Sequence, residues 1–408
     1  MVDVILSLNA GSSSIKFSAY QLSAGQLLPL AHGQVDDIGD DTTFMAGPAS
    51  GHPTAQPVDA PRGSVDHRAA LGLAVDWLKR DEQGCDVVAV GHRVVHGGPD
   101  YAEPVLADPA VLERLRTFIP LAPLHQPHNL AGVEAALQAF PDAAQVLCFD
   151  TAFHRSHPFV ADTFALPRRF YDDGVRRYGF HGLSYEFVSR KLRLLAPGLS
   201  RGRVIIAHLG NGASVCALRD GRSVASTMGF TALDGLPMGT RCGQLDPGVV
   251  LYLLSEKGMS AAEITDLLYK QSGLKGISAI SHDMRELEAS DDPAARDAID
   301  YFVARVRREI GGLAATIGGV DAIVFTGGIG EHATHVREQV LGDMGWLGVH
   351  LDRRANGRNA QIISLADSQT VVFVIPTDED RMIAEHTAEV AGLLNVRPSG
   401  LQFARLTA

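Results

Sequence analysis

Eight residues near the start of the chain, Asn9-Ala10-Gly11-Ser12-Ser13-Ser14-Ile15-Lys16, combine an amide, a small-residue turn and a cation. Exposed backbone N–H groups and serine hydroxyls in such a turn suit a phosphate or a metal-bound water, and Lys16 adds charge at the exit. The spacing is not GxxxxGK[ST] and no helix pattern follows, so this is not a Walker A loop. A solvated hairpin tip could show the same residues. What favours chemistry is a second copy: His208-Leu209-Gly210-Asn211-Gly212-Ala213-Ser214 repeats the design. Two strand–turn–strand motifs of this kind suggest a duplicated domain with a nucleotide's phosphates clasped between the halves.

Cations and carboxylates stand at other strand ends. Gly91-His92-Arg93-Val94-Val95-His96-Gly97-Gly98 carries Arg93 among apolar residues, and Thr240-Arg241-Cys242-Gly243 centres a long Gly/Pro-rich segment from Gly229 to Pro247. A cation buried without a partner is expensive, so each arginine needs an anion, either a carboxylate of the fold or a ligand. Arg176-Arg177-Tyr178-Gly179-Phe180-His181-Gly182 is basic and glycine-spaced, which favours an anion site. Asp150 ends the apolar run Val146–Phe149, where open α/β sheets gather ligands; it could equally be a helix N-cap. Ala322–Thr326 runs into Gly327-Gly328-Ile329-Gly330-Glu331, but no βαβ unit with an acid about 20 residues on follows, which argues against NAD. Thr377-Asp378-Glu379-Asp380 puts carboxylates at a helix start, where they complement the dipole and offer a Mg²⁺ anchor.

The elements that must hold these residues are α/β. Val4–Leu8 and Ile15–Tyr20 read as strands flanking the first turn, and Val204–Leu209 and Val215–Leu218 flank the second, with Asp220-Gly221 closing a further hairpin. Val87–Val90, Val146–Phe149, Ala322–Thr326 and Val371–Ile375 are further strands. Helical spacing marks Asp66–Lys79, Leu130–Phe140, a helix from about Ser184, Ser260–Gln271, Asp291–Ile317 and a last helix opened by Thr377–Asp380. Gly33–Ser64 has little periodicity and reads as edge strands and turns, or a surface insertion.

A chain of 408 residues implies two domains. Hydrophobic content of 46% and a mean hydropathy of +0.05 describe a folded soluble protein, and no apolar run approaches a membrane span. Met1-Val2-Asp3 lacks the basic flank of a signal peptide. Cys85, Cys148, Cys216 and Cys242 have no paired spacing, as expected of reduced core thiols in the cytoplasm. A net charge of −11 argues against nucleic acid as a partner and leaves any anionic substrate to local cations and amides. Glycine supplies 42 residues, above the usual ~7%, and much of the excess sits at strand ends.

Nine segments in order, Asn9–Lys16, Gly91–Gly98, Phe149–His154, Arg177–Ser184, His208–Gly212, Gly239–Gly243, Asp283–Arg285, Thr326–Glu331 and Pro376–Glu379, resemble the acetate kinase family of the actin-like sugar kinase and chaperone ATPase superfamily. The resemblance implies two duplicated actin-like (ribonuclease H-like) domains with an interdomain cleft, 1–150 plus 382–408 and 151–381. It implies in-line phosphotransfer from ATP to acetate, a homodimer and no membrane partner. By matching position Asn9 and Glu379 would hold Mg²⁺ (or Mn²⁺), and Lys16 would neutralise phosphate charge. Arg93 and Arg241 would bind the carboxylate and the transferring group, with His181 on the equatorial oxygens and Asp150 as the active-site acid. His208, Leu209, Gly210, Asn211, Gly212, Asp283, Met284, Arg285, Gly328, Ile329, Gly330, Glu331 and His332 would cradle ATP. Val95, Leu124 and Phe180 would line the methyl pocket.

A carboxylate nucleophile is ionised at pH 7 and needs no general base, so Asp150 suits orienting an arginine or a metal-bound water. The family usually has Thr-Pro-Leu-Glu-Gly beside the acyl pocket; here it is Thr231-Ala232-Leu233-Asp234-Gly235, and Ala232 opens the wall to a longer acid. His282 stands where Asn is common before the adenine-side Asp, which bears on nucleotide choice. The alternatives are a propionate or butyrate kinase, and a non-catalytic ATP clasp that would need no carboxylate-binding arginines.

Overall fold

Two hairpins start two sheets, and the strand order built around each is the same. The structure, a computed structural model, describes residues 2–11, 13–81, 85–123 and 125–394. Ser12, Leu124 and the 395–408 portion of the expected first domain lie outside them.

The chain divides into two compact units: one is the chain up to Gly97, Glu103–Phe149 and the chain from Glu379; the other is Gly98–Ala102 and Asp150–Asp378. The first unit holds β1 (Val2–Ala10), β2 (Ile15–Ser23), β3 (Gln26–Asp36), β4 (Thr43–Pro48), β5 (Thr54–Gln56), β6 (Cys85–Val94), β7 (Val105–Leu106) and β8 (Ala144–Phe149). They are ordered β5-β4-β3-β2-β1-β6-β8-β7. β1 pairs antiparallel with β2 and parallel with β6, and β6 is parallel to β8. The stretch read as edge strands and turns is indeed the β4–β5 edge.

Period-2 alternation sends Val4, Leu6 and Leu8 to one face of β1, where they join Phe17, Leu71, Trp77 and Ala136. Ile5 points the other way and meets Ala89, Ala384 and Ala388. The helices His67–Asp81 and Gln126–Ala139 therefore cover one face, and the helix Glu379–Val390 covers the other. Asp66 caps the first of these, accepting from the Ala69 N–H at 2.8 Å. Truncating its buried Leu71 (1% exposed) to Ala should cost about 2–5 kcal/mol. Gly91 permits the last helix to lie close, because a Cβ there would come within 2.0 Å of Thr387 Oγ1.

The second unit holds β9 (Arg203–Leu209), β10 (Ala213–Arg219), β11 (Arg222–Ser226), β12 (Ala322–Thr326) and β13 (Val371–Val374), ordered β11-β10-β9-β12-β13. This repeats the β3-β2-β1-β6-β8 order of the first sheet. Asp220 and Gly221 both have positive φ, +53° and +71°, as a type I′ hairpin requires. Helix Pro293–Thr316 is opened by Asp292, whose side chain accepts from the Ala294 N–H. The four cysteines are free thiols, Cys148 and Cys216 buried and Cys85 and Cys242 half-buried.

Candidate active site

In the first unit the turn between β1 and β2 sets Asn9 directly opposite Lys16. The turn is tied down from within and from outside. Gly11 N–H donates to Ser14 O at 2.7 Å and Ile38 N–H to Ser13 O at 3.0 Å. His67 Nε2 donates to Gly11 O at 2.7 Å, and Asn129 Nδ2 donates to Ala10 O at 2.6 Å. Arg93, near the end of β6, brings its Nη1 to 3.4 Å from Asn9 Oδ1 and its Nε to 4.0 Å from Glu379 Oε2. One guanidinium thus faces both proposed metal ligands. The neighbouring carboxylate is differently occupied: Asp380 accepts from Ser7 Oγ at 3.3 Å and Ser18 Oγ at 2.7 Å. Lys16 is exposed and Val95 is buried. His92, beneath the arginine loop, is pushed down to about 4 by burial, although it keeps a 2.8 Å hydrogen bond to Gln145.

In the second unit His181 sits in the left-handed region at φ +59° and begins the helix Gly182–Leu195. Its Nδ1 lies 2.9 Å from Ser214 Oγ, which is also bonded to the Tyr185 hydroxyl. That chain engages Nδ1 and directs Nε2 toward Gly212, where a Cβ would lie only 3.0 Å away. The ring stacks on His208 at 4.3 Å and 23°. His208 Nδ1 lies 2.8 Å from Ser184 Oγ, and Thr377 Oγ1 donates to that serine at 2.8 Å. Asp150 is 1% exposed, and its carbonyl accepts from the Gly182 N–H at 2.8 Å. The short 3-10 turn that follows starts from Thr151, with no side-chain cap, so Asp150 is not an N-cap there.

The turn at Gly210–Gly212 closes with a 3.0 Å bond from Gly210 N–H to Gly212 O. Beside it, Gly327 (φ +76°) packs against Leu209, where a Cβ would meet Leu209 O at 2.8 Å. The helix Gly327–His332 carries Gly328, Ile329 and Gly330, and a Cβ at Gly328 would meet nothing within 4 Å. Glu331 turns back on this helix: its Oε1 accepts from Gly327 N–H at 2.8 Å and Thr377 N–H at 3.1 Å. It therefore buttresses the glycine turn through backbone contacts. Asp283 caps the helix Met284–Glu288, and the Arg285 guanidinium holds its carboxyl down at about 2. Met284 is buried. Gly239 sits between Asn211 and His282, with room for no Cβ (2.5 Å to Asn211 Oδ1).

Arg241 donates to Ala232 O at 3.2 Å, which brings this arginine to the residue that departs from the family pattern. Phe180 is buried at 2% exposure, and its carbonyl faces His154 Nε2 at 2.9 Å. Burial pushes His154 down to about 4. The sequence assigns no role to Asn129, His67, Ser184, Tyr185 or Thr377, and Ser214 enters only as part of the second turn. Serines and an asparagine beside glycine turns were a signal, but their partners lie far along the chain.

Among the described residues no group of three or more His, Cys, Asp or Glu side chains forms a metal cage. Asn9 and Glu379 offer hard oxygen donors, the set that suits Mg²⁺ bound through one carboxylate, waters and substrate phosphates.

Two sheets of one strand order, each opened by an amide-bearing turn with cations or a histidine on adjoining loops, define a two-domain actin-like kinase. The acetokinase family model matches residues 4–385, and the chain belongs to that family. It is 60% identical to the acetate kinase of Methylocella silvestris, over 94% of this chain and 96% of that one. It is similar in structure to Porphyromonas gingivalis acetate kinase, with TM-score 0.87, 38% identity and coverage of 95% and 99%. A propionate kinase from Francisella tularensis gives TM-score 0.88, 36% identity and coverage of 95% and 100%.

Proposed function

We propose that this protein reversibly transfers the γ-phosphoryl group of ATP to acetate, giving acetyl phosphate and ADP. A carboxylate oxygen forms the new P–O bond as the bond to the β-phosphate oxygen breaks, and no proton changes hands. Such a transfer needs positioning and charge neutralisation more than acid–base chemistry.

The observation that carries this reading is Arg93, a half-buried cation facing Asn9 Oδ1 and Glu379. Arg93 binds the acetate carboxylate with Val95, Phe180 and Leu124 around the methyl group, and Arg241 and His181 donate to the transferring group. The Ser214 contact fixes the orientation of the His181 ring. Asp150 orients charged partners rather than abstracting a proton. Lys16, His208–Gly212, Asp283–Arg285 and Gly328–His332 hold the nucleotide. Asn9 and Glu379 would hold Mg²⁺, with Mn²⁺ as a substitute, and the ion would supply charge neutralisation on the phosphates.

A longer acid is the second reading. Ala232 favours it, because Arg241 donates to its carbonyl and its small side chain leaves room where a proline would stand.

The protein would act in the cytoplasm as a homodimer; no helix among the described residues is long and apolar enough to cross a membrane. The helix Pro247–Ser255 supports self-association: none of its residues is buried, and Leu251 is 65% exposed. Sedimentation of wild type against Leu251→Glu tests the dimer. Hydroxylamine trapping of acyl phosphate from ATP with acetate, then with propionate, tests the activity. No hydroxamate from either acid would reject it.

A further inference from the structure

We infer that Asn129 is a positioning residue that holds the Asn9–Lys16 turn and the Arg93 loop in one register, so that metal and carboxylate binding in the first unit depend on a single buried amide. The inference rests on the function proposed above.

Asn129 is 4% exposed and lies in the first turn of the helix Gln126–Ala139. Its two ends go to the ends of two neighbouring strands, β1 and β6. Nδ2 donates to Ala10 O at 2.6 Å, and Oδ1 accepts from Val95 N–H at 3.0 Å. Ala10 follows Asn9 and Val95 stands two residues beyond Arg93, while the Asn9 and Arg93 side chains approach to 3.4 Å. Asn129, Ala10, Asn9, Arg93 and Val95 thus close a ring of covalent and hydrogen-bonded links. Only a side chain with a donor at one end and an acceptor at the other completes it; an ionised aspartate has no donor.

The helix is itself held where it must be. Gln126, one turn earlier, donates to His96 O at 3.0 Å. At Gly132 the helix comes so close to the turn that a Cβ would lie 2.7 Å from Ala10 Cβ. Asn129 is therefore a rigid strut, and truncating it leaves the Ala10 carbonyl and the Val95 N–H without their partner in a dry site.

The test is Asn129→Ala in the full chain, with Val133→Ala as the control. Val133 is fully buried one turn further along the same helix and makes neither contact. Asn129→Ala should raise both the KM for acetate and the Mg²⁺ concentration for half-maximal activity by roughly 10–100-fold, the scale of losing a supporting contact behind a ligand. The KM for ATP at saturating Mg²⁺ should move far less. Val133→Ala should lower the melting temperature and leave both constants within about twofold of wild type. Amide exchange at Val95 reads the strut without turnover and should accelerate in Asn129→Ala only. If Asn129→Ala fails to fold, Asn129→Ser carries the same measurements. Unchanged constants with unchanged Val95 exchange would make Asn129 a packing residue and overturn the inference. A wild type that forms no acyl phosphate would instead overturn the proposed activity, and Val95 exchange would still decide the strut.

Discussion

Glu379 and Asp380 are adjacent carboxylates with opposite expected consequences. Glu379 faces Arg93 at 4.0 Å, whereas Asp380 accepts from Ser7 and Ser18, on β1 and β2. Hydrogen bonds to a charged group contribute about 1.5–3 kcal/mol each. Solvent reaches this site and the Ser7 contact is long, so Asp380→Ala should cost about 2–4 kcal/mol of stability. The last helix is what it loosens. Glu379→Ala removes a proposed metal ligand, and its metal requirement should rise at least 10–100-fold, the scale seen for losses one step removed from a ligand. The assay is a Mg²⁺ titration of acyl phosphate formation beside a thermal melt for each variant. Glu379→Ala should shift the titration and barely shift the melt; Asp380→Ala should do the reverse. The opposite pattern would place the metal on Asp380 and refute the reasoning.

Arg93→Leu and Arg241→Leu should each lower kcat by roughly 10²–10³ with ATP affinity little changed, the scale of losing one transition-state donor; full turnover in either returns that arginine to a structural role. Ala232→Pro should reduce propionate kcat/KM more than acetate kcat/KM, by a factor within the roughly 10–200-fold that one methylene is worth, and an unchanged ratio removes Ala232 from specificity. His92 and His154 are held near 4 by burial, so the unfolded chain takes up protons that the folded one refuses. Stability should therefore be full above about pH 6.5 and fall as pH drops toward 4, by about 3 kcal/mol per ring at most. His92→Gln should flatten that decline, as read by denaturant midpoints across the window.

The repeated strand–turn–strand units were legible because alternation and glycine turns are local signals. The common strand order could only be guessed from them, since pairing β1 with β6 depends on residues some 80 positions apart. Asp108-Pro109, Asp246-Pro247 and Asp292-Pro293 all open helices with the aspartate as N-cap. Only the third lies where the periodicity predicts a helix, Asp291–Ile317. The second begins where the Gly/Pro-rich segment ends, and Pro247–Ser255 has apolar residues all round rather than on one face, so it shows no helical stripe. At the site, the residue types at Asn9, Arg93, His181 and Arg241 were visible, but their partners were not. His181's backbone at φ +59° has no sequence signature. Asp380's serines lie more than 360 positions away.

That same separation has a consequence during synthesis. The face of the first sheet that presents Ile5, Tyr20 and Ala89 is covered by Ala384 and Ala388, and Ser7 waits 373 residues for Asp380. At translation rates of about 5–20 residues per second the interval is roughly 20–75 s. From the completion of β8 at Phe149 until the last helix follows, a sheet with its order already encoded has one apolar side unprotected, a hazard for association with other nascent chains. A polypeptide released before Glu379 would carry every strand of both sheets and still leave this face bare. The sheet of the first unit thus precedes the helix that covers it by the length of the second unit, so folding of the first unit waits on synthesis of the second.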